Sequence, residues 1–134
     1  MDTLNQSLAS VIRRAAKRRG VTETPYFMAH FLYFNEILRA RRRFTVGKLY
    51  PESARMLTEK VSRHGMPDEV PRTWIMTLCD RGCSVSHQGG SIDAIGGVET
   101  IMPINTCHGL MVSEPERLAK ILVERWRLRS GVSR

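Results

Sequence analysis

The sequence predicts a single α+β domain, mainly helical, with a small antiparallel β-hairpin between its last two helices. Its 134 residues, 42% hydrophobic and 25% charged, are typical of a globular chain. Apolar residues recur at helical spacing towards both ends, whereas two glycine pairs separate short β-branched stretches in residues 83–112. These observations predict four to five helices and one hairpin. The order of these elements along the chain also fits a winged helix.

Two helices are predicted in the N-terminal part of the chain, residues 1–43. Apolar side chains spaced three or four apart over residues 3–19 predict an amphipathic, basic helix that stops at Gly20. Thr24 and Pro25 predict the start of a second helix, which runs to Leu38 and carries the Arg39–Arg43 cluster at its end. Since that helix is apolar on nearly every side, we expect it to be buried or to form a homodimer interface. Residues 44–50 are predicted to form a connector or a short strand.

The central part is predicted as a helix, a turn, a second helix and a hairpin. A helix from Pro51 to His64 is followed by a proline-rich turn over residues 66–71. Residues 73–79 fit a helix or a strand, and Asp80-Arg81-Gly82 as a helix exit favours the helix. The glycine pairs at 89–90 and 96–97 then predict antiparallel strands, with Pro103 at an edge.

The last helix has the clearest local signal. Ser113 and Glu116 form a capping-box pattern, and an apolar stripe continues to Trp126. The single domain, residues 1–134, is thus divided into a basic helical part (1–43), a central helix-turn-hairpin part (44–112) and a capped helix (113–129).

The positive charge is concentrated at the two ends of the chain. The whole sequence has a net charge of +8, of which residues 1–43 contribute nine basic and three acidic groups and residues 113–134 six basic and three acidic. Such an excess favours an anionic partner. Arginine also suits phosphate better than lysine does, because its guanidinium can bind two oxygens at once.

These patterns predict a non-enzymatic nucleic-acid-binding regulatory protein, with DNA favoured. Most of the basic groups would contact phosphates, and Arg72 and Thr73 would read bases from the start of a winged-helix recognition helix. The alternative is an adaptor, inhibitor or assembly subunit whose basic face meets an acidic protein. The predicted nucleic-acid contacts are Arg13, Arg14, Lys17, Arg18, Arg19, Arg39, Arg41, Arg42, Arg43, Arg72, Thr73 and Arg81.

A metal site is a weak possibility that the spacing does not favour. The ligand types suit zinc, but the cysteines lack the usual C-x2-C or C-x4-C spacing, and free thiols are commonly small buried hydrophobes. We therefore predict no metal and no cofactor. The candidates are Cys79, Cys83, His87, Cys107 and His108.

Catalysis is also disfavoured by the sequence. Cys107 and His108 are adjacent, so on a strand they would face opposite sides. Cys83 could meet His87 or His108, with Asp93 orienting an imidazole, but no pattern selects these groups. The prediction is therefore that the protein is not an enzyme.

Cysteine content and hydropathy predict a cytoplasmic protein without a membrane span. The three cysteines are an odd number and the first twenty residues are polar and basic, which favours a reducing compartment. The longest apolar run, about 13 residues, is shorter than the roughly 20 needed to cross a bilayer.

Overall fold

A computed structural model of the chain describes residues 14, 20–22, 24–53, 55, 59 and 62–131. This part of the chain has a mixed α/β architecture with five helices and two small sheets. The helix predicted over residues 3–19 lies outside it, apart from Arg14. In chain order the elements are β1 (Val21–Thr22), α1 (Tyr26–Leu32), α2 (Arg39–Val46), β2 (Glu52–Ser53), β3 (Thr73–Thr77), α3 (Val85–Ala94), β4 (Thr100–Ile104), α4 (Leu110–Ser113) and α5 (Pro115–Ser130).

The central sheet is parallel, which corrects the predicted antiparallel hairpin. β3 pairs with β4 from Thr73 opposite Thr100 to Thr77 opposite Ile104. A parallel pair needs a crossover connection, and α3 lies within it. The only antiparallel pairing among the described residues joins β1 to β2. The winged-helix order is therefore wrong, because a strand stands where the recognition helix was predicted and a helix where the first hairpin strand was predicted.

Local contacts explain why the glycine-rich segment is helical. The Ser84 hydroxyl accepts a hydrogen bond from the His87 N–H and caps the start of α3. Gly89 and Gly90 lie inside this helix, which is destabilising by itself, so tertiary contacts must hold it. Gly96 and Gly97, at φ of +83° and +87°, lie in the turn that follows.

The single helix predicted from Pro25 through the Arg39–Arg43 cluster is replaced by two helices. α1 ends at Leu32, and residues 33–38 form an irregular loop from which Phe34 and Ile37 enter the core beside Cys107. The arginine cluster therefore begins α2 instead of ending a helix. The Arg42 guanidinium donates to the Ile37 carbonyl at 2.8 and 3.1 Å, so this arginine fixes the loop.

Two further predictions fail in detail and one is confirmed. Residues 44–46 continue α2. In the helix predicted from Pro51 to His64, residues 52–53 form β2, Arg55 is helical and residues 62–64 are irregular, while residues 54, 56–58, 60 and 61 lie outside the described part of the chain. The last helix is confirmed as α5, but it starts at Pro115. The Ser113 hydroxyl does not cap it, since it contacts the Thr106 hydroxyl and the Gly109 carbonyl.

The apolar core lies between the central sheet and the helices around it. Ile104 at the end of β4 packs with Leu110 and Ile121 of α4 and α5. A second cluster joins the loop after α1 to Cys107. The two clusters flank the segment that follows β4, and they fix where that segment passes. Over the described part of the chain, no helix combines the length and apolarity needed to cross a membrane.

Candidate functional site

Two ionisable side chains meet just beyond the carboxyl ends of the parallel strands. Asp80 follows β3 and His108 follows β4, and Nδ1 of the imidazole lies 2.8 Å from Oδ2 of the carboxylate. Because parallel strands present their carboxyl ends at the same edge, residues 28 positions apart in sequence come into contact.

The carboxylate of Asp80 is held by a full set of donors. Oδ1 accepts from the backbone N–H groups of Gly82 and Cys83, each at 2.8 Å, and Oδ2 accepts from the Thr77 hydroxyl at 3.0 Å as well as from His108. Only 3% of the side chain is exposed. A buried carboxylate with these partners has one fixed orientation, and the imidazole must adapt to it.

The two partners favour each other's charged form. Burial would raise the pKa of Asp80, but hydrogen bonds from His108, Cys83 and Thr77 and the imidazole charge together hold it below its usual range. The hydrogen bond to Asp80 raises the pKa of His108 against the opposing effect of burial, and the carboxylate charge adds to the rise. Each shift favours the charged form of its group relative to the isolated side chain, because the two opposite charges stabilise each other.

The loop between α1 and α2 covers one side of this pair. The Tyr33 ring lies 5.0 Å from the His108 ring between centroids, and the Tyr33 carbonyl accepts from the Gly109 N–H at 2.9 Å. The Asn35 amide donates to the Cys79 carbonyl at 3.1 Å, next to Asp80. The loop is therefore attached to both strand ends and packs the imidazole against the site.

The remaining ring nitrogen of His108 is the group that can act on another molecule. Nδ1 is engaged by Asp80, so Nε2 can accept or donate a proton, and 49% of the side chain is exposed. An imidazole held at one nitrogen by a carboxylate and open at the other is the arrangement of a general base or acid.

The predicted nucleic-acid contacts are spread over several elements. Arg14, Arg39, Arg41 and Arg43 are exposed, while Arg42 contacts the loop as described above. Arg13, Lys17, Arg18 and Arg19 lie outside the described residues.

The two predicted base readers do not begin a helix. The Arg72 guanidinium donates to the Pro67 carbonyl at 2.7 Å and contacts Asp68 at 3.4 Å, and Thr73 is the first residue of β3. The guanidinium of Arg81 lies over the Phe31 ring at 4.8 Å. The prediction of a recognition helix is therefore wrong, while nucleic-acid binding itself stays a prediction.

The cysteines and histidines proposed as weak metal candidates do not come together. Cys79 contacts the Asn105 side chain at 2.9 Å, His87 the Ser84 hydroxyl at 2.8 Å, and Cys107 is fully buried. Within the described ranges, no three His, Cys, Asp or Glu side chains are grouped so that they could hold a metal ion.

The sequence interpretation missed the Asp80–His108 pair because it placed Asp80 at a helix exit. The available signal was a strand, helix, strand pattern with a polar residue just after each strand. Of the predicted candidates, His108 lies in the site, whereas Asp93 is exposed at the far end of α3 and does not contact the pair.

Comparison with known proteins gives a likeness of fold and no likeness to a known family. No protein family and no curated protein matches the sequence. Among solved structures, polyneuridine aldehyde esterase is similar, at 18% identity and a TM-score of 0.64 over 78% of this chain and 42% of the esterase chain. A histidine-to-alanine variant of the same esterase gives 17% and 0.63 with the same coverage.

The likeness concerns the fold, and it covers part of the esterase. The chain spans less than half the length of the two esterase chains. At below 20% identity, neither substrate nor activity follows from the similarity. The described residues have the mixed α/β architecture found in the α/β-hydrolase fold, with a parallel sheet and not a winged helix.

Proposed function

We propose that Asp80 and His108 form the acid–base pair of an ester-hydrolase site. The observation that carries the proposal is the 2.8 Å contact between Nδ1 of the imidazole and a buried, fully hydrogen-bonded carboxylate at the carboxyl ends of parallel strands. This proposal departs from the sequence-based prediction of a non-enzymatic protein. The fold likeness to esterases supports the reaction class and leaves the substrate open.

The order of the two residues along the chain agrees with this role. In α/β hydrolases the nucleophile comes first, the acid second and the histidine last. Asp80 and His108 stand in the order of the last two. The printed sequence has no Gly-x-Ser-x-Gly motif, which marks the serine nucleophile in that fold. The proposal therefore assigns the acid–base pair to Asp80 and His108. It names no serine nucleophile among the printed residues and takes water in that role.

The reaction balances with water as the nucleophile. Nε2 of His108 accepts a proton as the water oxygen adds to the ester carbonyl, and Asp80 stabilises the imidazolium that forms. When the carbon–oxygen bond to the alcohol breaks, the same nitrogen returns the proton to the leaving oxygen. The products are a carboxylic acid and an alcohol, and the imidazole is again neutral.

Ester hydrolysis by the 134-residue chain tests the proposal. Hydrolysis of 4-nitrophenyl acetate is followed for the wild type and for His108→Ala, with His87→Ala as the matched control because His87 is also exposed and hydrogen-bonded through Nδ1. Loss of a general base should lower kcat/KM by about 10²-fold for His108→Ala. The control should keep the wild-type rate.

Two results decide against the proposal. One is a wild-type rate no greater than that of His108→Ala, and the other is an equal loss in both histidine variants. A fluorophosphonate probe followed by mass spectrometry then distinguishes water from a serine nucleophile, since an activated serine hydroxyl forms a stable covalent adduct with the probe. An unlabelled but active protein would indicate that water attacks directly.

Nucleic-acid binding remains a second candidate because of one further observation. Arg39, Arg41 and Arg43 are exposed along α2, and none of the ion pairs found among the described residues includes them. Exposed arginines without carboxylate partners are available to bind phosphates.

A salt titration tests this second candidate. Fluorescence anisotropy with a labelled 20-base-pair duplex should give an affinity that falls steeply between 50 and 200 mM salt. Replacing Arg39, Arg41 and Arg43 by Ala should reduce both affinity and salt dependence, whereas Arg55→Ala, which removes an arginine paired with Glu59, should not. Absence of binding at 50 mM salt would refute it.

A further inference from the structure

Gln88 is a buried polar residue next to the Asp80 turn. It lies in the first half of α3, and only 3% of it is exposed. A buried carboxamide must satisfy two donors and two acceptor lone pairs inside the protein, so such a residue is retained in a core only where its partners are well placed. Its contacts therefore show what the side chain holds in place.

Among the described residues, the hydrogen bonds of this carboxamide go to β3 and to the turn that follows it. Oε1 accepts from the Thr77 N–H at 3.1 Å and from the Trp74 indole N–H at 3.2 Å. Nε2 donates to the carbonyls of Thr77 and Cys83, both at 2.9 Å. The carboxamide pairs with both backbone groups of Thr77, as a neighbouring strand would, while the Leu78 N–H turns to Ile104 of β4.

These contacts connect the two ends of the segment that carries Asp80. Thr77 is the last residue of β3 and Cys83 lies at the exit of the turn, so one side chain joins both. The same two residues also donate to the Asp80 carboxylate, Thr77 through its hydroxyl and Cys83 through its N–H. Any movement of these residues would therefore move the carboxylate.

We propose that Gln88 is a positioning residue that fixes the turn from Thr77 to Cys83 so that the Asp80 carboxylate meets Nδ1 of His108. The inference rests on the proposed function and extends it to a residue that touches neither reacting group. Glutamine suits this place because it both donates and accepts, as the backbone of Thr77 requires. Ionised glutamate would only accept, and asparagine is one methylene shorter.

The state of the His108 ring is the readout for this inference. Nitrogen-15 chemical shifts of the imidazole report which nitrogen carries the proton, and a titration reports its pKa. The groups that face the ring are the Asp80 carboxylate from the turn after β3 and the Tyr33 phenol from the loop after α1. Neutral replacements of Gln88 add no charge and remove neither of these two groups, so a change in the ring reports a change in their geometry.

The experiment compares Gln88→Met and Gln88→Asn with two references in the full 134-residue chain. Asp80→Asn removes the carboxylate itself, and Ile92→Ala weakens α3 at a buried apolar position four residues further on. We expect both Gln88 variants to lower the pKa of His108 and reduce the Nδ1–H tautomer, in the same direction as Asp80→Asn but less. Ile92→Ala should leave the ring unchanged.

The outcomes separate this inference from the proposed function. If Asp80→Asn does not change the His108 ring, the acid–base pair itself is refuted. If Asp80→Asn changes it and folded Gln88→Asn does not, the pair stands and the positioning role of Gln88 is overturned. Should Gln88→Met fail to fold, Gln88→Asn alone decides. An equal effect of Ile92→Ala would also overturn the inference, since any loss of helix stability would then suffice.

Discussion

Within the described part of the chain, the Asp80 carboxylate accepts four hydrogen bonds, and replacing it in different ways should separate their contributions to stability. Asp80→Ala removes every acceptor. Asp80→Asn retains one oxygen, which can still accept from the N–H groups of Gly82 and Cys83, and places an NH2 group towards His108. His108→Ala removes a single donor and leaves the carboxylate with the other three.

The expected magnitudes follow from which groups lose their partners. Asp80→Ala leaves two backbone N–H groups, a hydroxyl and an imidazole without an acceptor, and breaking a buried network of this kind costs about 3 to 5 kcal/mol. Asp80→Asn keeps the acceptor of both backbone N–H groups, and the imidazole and the Thr77 hydroxyl must accept from the new NH2 group instead of donating, at about 1 to 2 kcal/mol. His108→Ala should cost about 1 kcal/mol, because half of that side chain is exposed and its charge is screened by solvent.

Urea unfolding followed by tryptophan fluorescence measures these differences. The free energy of unfolding should fall most for Asp80→Ala, less for Asp80→Asn and least for His108→Ala, with similar m-values. Equal losses for the two Asp80 variants would refute the reasoning, because they would mean that the backbone N–H groups do not depend on the carboxylate. A larger loss for His108→Ala than for Asp80→Ala would refute it as well.

Three further predictions use the same site. Because the pKa of His108 is raised, the contribution of His108 to stability is complete below about pH 6.5 and is lost as pH rises through the folded pKa. Because the pKa of Asp80 is lowered, the contribution of Asp80 is present above about pH 4 and is lost on acidification. In a pH series of urea titrations, the difference in unfolding free energy between wild type and His108→Ala should therefore be largest between these two limits. In Gly82→Ala the added Cβ would lie 2.7 Å from Cε1 of Tyr33, so we expect a loss of about 1 to 3 kcal/mol in the same assay, which Tyr33→Ala in the same chain should relieve. Maleimide should label Cys107, which is fully buried, only when the protein opens and therefore slowly, and rapid labelling of this thiol in the folded state, identified by peptide mass spectrometry, would contradict its burial.

The parts of the fold that depend on local pattern could be predicted from the sequence. The stripe that includes Leu118 and Ile121 predicts α5, and these residues do pack against the core. The proline-rich turn over residues 66–71 is also irregular in the structure. In both segments the spacing of apolar residues or the restricted backbone of proline determines the conformation without distant partners.

Residues 73–79 show where local pattern is insufficient. Their β-branched and aromatic side chains fit a helix and a strand almost equally well. The conformation is decided by pairing with Thr100–Ile104, which lies 27 positions further along the chain. Helix propensity is a weak preference that such tertiary pairing overrides.

The glycine pairs were misinterpreted for a related reason. Gly89 and Gly90 usually disfavour a helix interior, but α3 is capped by Ser84 and held by the buried contacts of Gln88. None of these contacts is visible as a periodic pattern. Once α3 is recognised as a helix, the connection from β3 to β4 is of the kind that a parallel pair of strands requires.

The catalytic proposal therefore depends on the register of the central sheet more than on any motif. Thr77 lies opposite Ile104, so the turn that carries Asp80 and the segment that carries His108 leave the sheet at the same level. Side chains alternate along a strand, so a one-residue slip would turn each side chain of β4 to the other face, including Ile104, which packs against α4 and α5. The same apolar contacts that bury Ile104 thus hold His108 within reach of Asp80, and the site is positioned by the core.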